Sequence, residues 1–454
     1  MNLLSSVQDT PTKRQKISRH RNHQSDHLNQ KPNESNRLLE TLLSGGIPGI
    51  ARTFLRGMLF GLGSKVLFSL TSFKSFQHLF LTSTGRKNAL RSGVLFGTMI
   101  SIFKSLSCLG VHLLGGKRRE QLPTIVCVSA LIAAQSLRLE LSPSRRSLFA
   151  TYALVRACWS ILQDVFMKEE ATTKDEDEEL VGTSIVRVLL NHGAPMLFVV
   201  SCTQIMWCWF YYPIYLQGLY ATWITRMAHM DVALVQALHD LHHGKVKYGM
   251  KSNILRDYSL RHHLNPDKAN LLHYVPMKYV HPSAGNWTSM WLLRRFVRGI
   301  IDSFPLYFPV HALPMFIFKS HVCVETPYLA ARKLFSNVLQ SSTFLASFIT
   351  LTWGGILIIR KWTRRDTSFG VWFGCVASGL SIYVERPTRR RELAMFVFPR
   401  VLEIWWEMSG RVEPVRHFAT WIFSLSMAVL AERSLRPKDT SRNLFSGIGE
   451  MMFR

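Results

Sequence analysis

The short run HDLHH at 239–243 is the one place where side-chain types and spacing suggest metal chemistry. On a helix, His239, His242 and His243 share one face, and imidazoles so arranged can bind iron or zinc. A second pair stands in RHHL at 261–264, and further histidines lie at 229, 273 and 281. His262 and Asp267 also make an HxxxxD, the spacing of an acyl-transferring His–Asp pair, but without a glycine-rich block downstream. A second group of residues is notable for where it sits. Lys104, Arg156, Arg400, Glu403 and Glu407 all lie within apolar surroundings. Ionisable groups at membrane depth are costly and face a partner or a wet cavity. Glu403 and Glu407 follow Arg400 at one and two helical turns. Two readings stay open for them: an ion pair that locks a bundle, or a polar groove for a substrate or lipid headgroup.

The elements around these residues are apolar and long. Hydrophobic residues make up 47% of the 454 positions and charged ones 19%, yet the net charge is +26. The basic residues cluster between apolar runs, as they do in membrane proteins, where Lys and Arg occupy loops and interfaces. A nucleic-acid binder would carry its basic stripe on an otherwise soluble domain, so no nucleic-acid partner is expected. Runs at 54–75, 92–116, 122–137, 148–166 and 194–224 approach the roughly 20 residues that cross a bilayer as helix. The 122–137 run is short and needs tilt or interfacial help to cross. The seven cysteines have no CxxC spacing, and buried thiols are expected. Residues 1–45 read as a disordered basic arm.

The chain also repeats itself. PSRRSLFATYALVR at 143–156 is answered by PTRRRELAMFVFPR at 387–400, with proline, arginine pair and closing arginine in register, a separation of 244 residues. FLRG at 54 is answered by FVRG at 296, and FKS at 73 by FKS at 318. The expected fold is therefore all-α: a multi-pass membrane protein of two tandem helical-bundle repeats, 46–226 and 296–454. The first carries an acidic insert at about 167–186, and a basic, His-rich linker (227–295) joins the two. Counting four to five spans in each favours parallel repeats, since an even number gives parallel units and an odd number inverted ones. Gly57 and Gly61, Gly93 and Gly97, and Gly370 and Gly374 each form GxxxG, and Ser101 continues the second strip. Such strips let helix backbones approach closely in lipid. Arg145, Arg146, Arg389 and Arg390 read as loop anchors at a phosphate-rich interface.

SIYVERPTRRRELAMFVFPRVLE (381–403) and GVLFGTMISIFKSLSCL (93–109) resemble blocks of the transmembrane protein 135 family. Its repeats are in turn similar to the glycine-rich helical units of mitochondrial inner-membrane translocases and small peroxisomal membrane proteins. The resemblance covers most of 54–226 and 296–454. It implies a scaffold or transport-type protein of mitochondrial or peroxisomal membranes, acting in organelle dynamics or lipid handling. It implies no catalytic residues and no cofactor. The expected partners are the lipid bilayer and, beyond it, other membrane proteins or a lipid or metabolite substrate. The alternative is a membrane-bound metalloenzyme acting on lipids, desaturase- or hydroxylase-like. Such enzymes assemble their metal site from several histidine boxes, whereas this chain offers one box and a stray pair. The alternative to metal binding for the linker is a basic amphipathic helix on the membrane surface.

Overall fold

A computed structural model describes residues 46–70, 82–113, 121–172, 181–216, 218–247, 252–266, 288–318, 320–410 and 417–435. The expected N-terminal arm, His273, His281 and Asp267 lie outside them. Every regular element among the described residues is helical. In chain order they are α1 (Gly46–Leu70), α2 (Ser83–Leu113), α3 (Leu122–Ala133), α4 (Pro143–Thr172) and α5 (Val181–Tyr211). The linker region holds α6 (Gly218–Ala228), α7 (Val232–His242) and α8 (Asn253–Arg261). Then follow α9 (Thr288–Phe318), α10 (Ser320–Glu325), α11 (Pro327–Thr363), α12 (Ser368–Gly379), α13 (Pro387–Met408) and α14 (Phe418–Ser434). Among the described residues four segments are long and apolar enough to cross a membrane: Ser83–Leu113, Leu122–Leu139, His192–Tyr211 and Pro327–Thr363. Large apolar side chains such as Val200, Ile358 and Leu425 stand exposed on the outside of the bundle, where lipid would cover them.

α4 continues to Thr172 and α5 begins at Val181, so helix reaches into both ends of the acidic stretch at about 167–186. α9 starts at Thr288 and runs unbroken through residue 295.

Two short apolar helices, α3 and α12, end alike. Each tightens into a 3₁₀ turn, Ala134–Leu139 and Leu380–Val384. Each then stops at a glutamate in extended conformation, Glu140 or Glu385. Pro143 and Pro387 then open α4 and α13, in the first turn, where proline's missing N–H is no loss.

Packing within each half is sequential: α1 on α2, α2 on α3, α9 on α11, α11 on α12. The last helices cross over. α5 packs on α12 and α13, and α14 packs back on α3 and α4. Phe198 meets Phe344 with ring centroids 5.9 Å apart, and Phe210 meets Trp353 at 6.3 Å. Both numbers rise together, so α5 and α11 run in the same direction. α4 and α13 run in opposite directions. The Tyr152 hydroxyl donates to the Phe396 carbonyl at 2.8 Å, while Arg156, one turn on, acts electrostatically on Glu392, one turn back. The matched segments at 143–156 and 387–400 thus lie against each other antiparallel.

Candidate functional site

The glycine strips mark where backbones meet. A methyl group placed on Gly57 would sit 2.9 Å from the Gly97 Cα, and one on Gly61 2.9 Å from the Gly93 Cα. α1 and α2 thus touch backbone to backbone, antiparallel. On α12, a methyl group on Gly374 would lie 2.5 Å from the Thr352 carbonyl, and one on Gly370 3.3 Å from Ile359. The close partner of Gly374 is Gly355, whose added Cβ would be 2.8 Å from the Gly374 Cα. Sequence reasoning missed Gly355, although the tandem glycine of TWGGIL was there to notice. Ser101 is half-buried, with its hydroxyl covered and without a hydrogen-bond partner among the described residues.

The intramembrane charges separate into distinct roles. Arg400 bonds Glu403 at 3.1 Å, and its guanidinium lies 5.8 Å from the centre of the Tyr220 ring. Arg156 is half-buried on the facing helix α4. Glu407 is exposed, and Glu403 is the carboxylate that holds Arg400. Lys104 is buried on α2, 8% exposed.

The arginine pairs are not free anchors. Arg145 pairs with Glu140 at 3.2 Å. Arg389 pairs with Glu385 at 3.3 Å and also bonds Ser341 and His311. Arg390 donates to the carbonyls of Glu385 and Tyr383. Glu385 is 1% exposed; Ser341 donates to its Oε1 at 2.9 Å, and its Oε2 is buried without a hydrogen-bond partner among the described residues. These carboxylates hold Arg145 and Arg389 against the bundle. The signal lay in the sequence as ELSPSRR and ERPTRR, a glutamate just ahead of each proline.

In the linker, α7 packs on α8 and against α5. Asp231 caps α7 by accepting the Ala233 amide at 2.8 Å, and His262 reaches the same carboxylate at 3.3 Å. Burial alone would raise the Asp231 carboxyl. The Ala233 amide, His262 and Arg261 outweigh it and hold the group below its usual value. His229 meets Asp302 of α9 at 2.7 Å, and Arg295 donates to the Met227 carbonyl at 2.7 Å.

His239, His242 and His243 do share one end of α7, but each Nδ1 has its own partner. His239 Nδ1 faces Asp240 at 3.2 Å, and His243 Nδ1 bonds the His239 carbonyl at 2.9 Å. His242 stacks on Tyr211 with centroids 4.0 Å apart and meets the Ser368 hydroxyl through Nδ1 at 3.1 Å. Burial, then the neighbouring His243 and His239, lower its pKa, so it is neutral at pH 7. Among the described residues no three His, Cys, Asp or Glu side chains are placed to hold a metal.

Beneath α7 lies a cavity of about 380 Å³. Leu234 and Leu241 of α7, Phe210 of α5, and Trp353 and Ile356 of α11 form its apolar body. One edge is polar: His242, Lys247, Arg360, Asp366, Thr367 and Ser368. Arg360 is 6% exposed and pairs with Asp366 at 2.5 Å. Neither Lys247 nor this pair was singled out from sequence, because RKWTRRD reads there only as a basic hinge.

No family model, no curated protein and no solved structure matches this chain.

Proposed function

We propose that this chain is a multi-pass membrane protein of transport type. Two inverted helical repeats, α1–α5 and α9–α14, exchange their last helices and pack through GxxxG strips. The observation that carries this reading is the contact of Tyr152 with Phe396. These two residues are 244 positions apart, the separation of the matched segments, and α4 and α13 cross there antiparallel. A residue meeting its own counterpart is the signature of a two-fold axis, and antiparallel crossing lays that axis in the membrane plane. The reciprocal packing of α5 on α12 and α13, and of α14 on α3 and α4, obeys the same symmetry. So do the two 3₁₀–Glu–Pro junctions. In inverted-repeat transporters the substrate path runs where the halves meet, near interrupted helices. Here that place holds Tyr152, Arg156, Arg400 and Glu403. The family resemblance adds the expectation of lipid handling in a mitochondrial or peroxisomal membrane. Among the described residues no convergent histidines support the metalloenzyme alternative.

The test is sidedness. In a cysteine-free background, cysteines at Ser142 and Arg386, which precede α4 and α13, are labelled with a membrane-impermeant maleimide in sealed vesicles. Inverted repeats expose the two from opposite sides. Labelling of both from one side refutes the inversion, and a tagged chain found only in plasma membrane or endoplasmic reticulum refutes the organelle.

A further inference from the structure

We propose that the cavity under α7 binds one single-chain amphiphile with a singly charged anionic head, a long-chain fatty acid in its ionised form. The assignment rests on the membrane reading above and names a ligand for it.

The volume of about 380 Å³ falls in the range of small-molecule sites, roughly 300–1,000 Å³, which are mostly apolar with a few placed polar groups. Three aromatic side chains, Phe210, Tyr211 and Trp353, and aliphatic ones from four helices line the body. An apolar chain therefore meets no unsatisfied polar group along it. The polar edge lies where α11 turns into α12, between Arg360 and Ser368. That turn also carries the exposed Lys361, Arg364 and Arg365, a basic cluster that belongs at the headgroup level. An amphiphile drawn from the bilayer would thus keep its head at the interface and its chain inside.

Charge selects the head. Arg360 and Asp366 cancel each other, and burial beside two other imidazoles keeps His242 uncharged at neutral pH. Lys247 remains: it is exposed at the rim and makes no ion pair among the described residues. The edge is therefore net positive, from Lys247 and from the Lys361, Arg364 and Arg365 cluster on the same turn, and suits an anionic head. The Ser368 hydroxyl lies on the same edge, beside His242. A doubly charged phosphate would face Asp366. A diacyl lipid would bring a second chain for which a cavity of this size has no room.

The purified full chain in nanodiscs is titrated with tritiated palmitate in a scintillation proximity assay, with hexadecanol and cholesterol as competitors. Saturable palmitate binding is expected, weakened about tenfold or more in Lys247→Gln by loss of a charge-assisted bond. Hexadecanol should compete weakly and equally against wild type and variant. Leu238→Trp, which fills the cavity from α7, should abolish binding while leaving the thermal melt unchanged. If that variant melts early, Val246→Trp in the turn after α7 makes the same test. The proposal is overturned by non-saturable binding, by full binding in the filled variants, or by hexadecanol or cholesterol competing as well as palmitate. Maleimide sidedness is read separately, so an empty cavity leaves the inverted-repeat reading standing, and failed sidedness leaves the ligand test interpretable.

Discussion

Gly374→Ala and Gly354→Ala, twenty residues apart on adjoining helices, should change stability in opposite directions. Both replace a helical glycine with alanine, which by backbone entropy alone favours the folded helix by about 0.5–1 kcal/mol. At Gly354 nothing lies within 4 Å of the added methyl group, so that gain should be realised in full. At Gly374 the methyl group would lie 2.5 Å from the Thr352 carbonyl oxygen and 2.6 Å from Ile356 Cγ1. Ile356 can rotate away, but a backbone carbonyl moves only if α11 moves. Overpacking of this kind costs about 1–3 kcal/mol, more than the entropic gain. The expected result is a loss of about 1–2 kcal/mol for Gly374→Ala and a gain of up to about 1 kcal/mol for Gly354→Ala. Reversible unfolding of the detergent-solubilised chain in SDS, followed by circular dichroism, measures both. Equal and positive shifts for the two variants would refute the reasoning, because the approach of α11 and α12 would then be slack. Gly97→Leu should fail by the same mechanism in the first half, where the Phe54 carbonyl is 2.9 Å from the added Cβ.

Two further predictions concern charge. Arg389→Met strands the buried Glu385 carboxylate and should cost about 3–5 kcal/mol, and Arg389→Met with Glu385→Gln should recover most of it; SDS unfolding measures both, and equal losses in the two variants would show that the pair carries no coupling. The linker cap should loosen in two steps as pH falls, read by hydrogen exchange of the α7 and α8 amides after correction for intrinsic rates. His242 has a folded pKa below its ordinary 6.5, so its contribution is present above that value and is lost as pH drops beneath it. Asp231 has a folded pKa below its ordinary 3.8, so its contribution disappears only at more acid pH. His242→Phe keeps a ring against Tyr211 and should delete the upper step alone; persistence of that step would assign it elsewhere.

Helical class was legible from composition and apolar run length, because a bilayer leaves the backbone no partners but its own. The matched segments at 143 and 387 were legible as text, and Pro143 and Pro387 do open helices. The glycine positions were legible too, since only glycine allows the approach found at Gly57, Gly61, Gly93 and Gly97. Direction was not. A span count of four or five cannot distinguish parallel from antiparallel, and one helix reverses the answer; that α4 and α13 cross antiparallel is visible only in the contact of Tyr152 with Phe396. The sequence also marked His239, His242 and His243 as neighbours on a helix, which periodicity alone guarantees. Whether their nitrogens converge depends on side-chain rotamers and on Tyr211, Asp240 and Ser368, brought there by other elements. Glu385 and Arg389 are four residues apart, but His311 and Ser341 join them only through the packing of α9 on α11 and of α11 on the 3₁₀ turn Leu380–Val384. The cavity beneath α7 was the least visible of all. Its walls come from five separate stretches of chain, and Lys247, Trp353 and Asp366 share an address only in three dimensions.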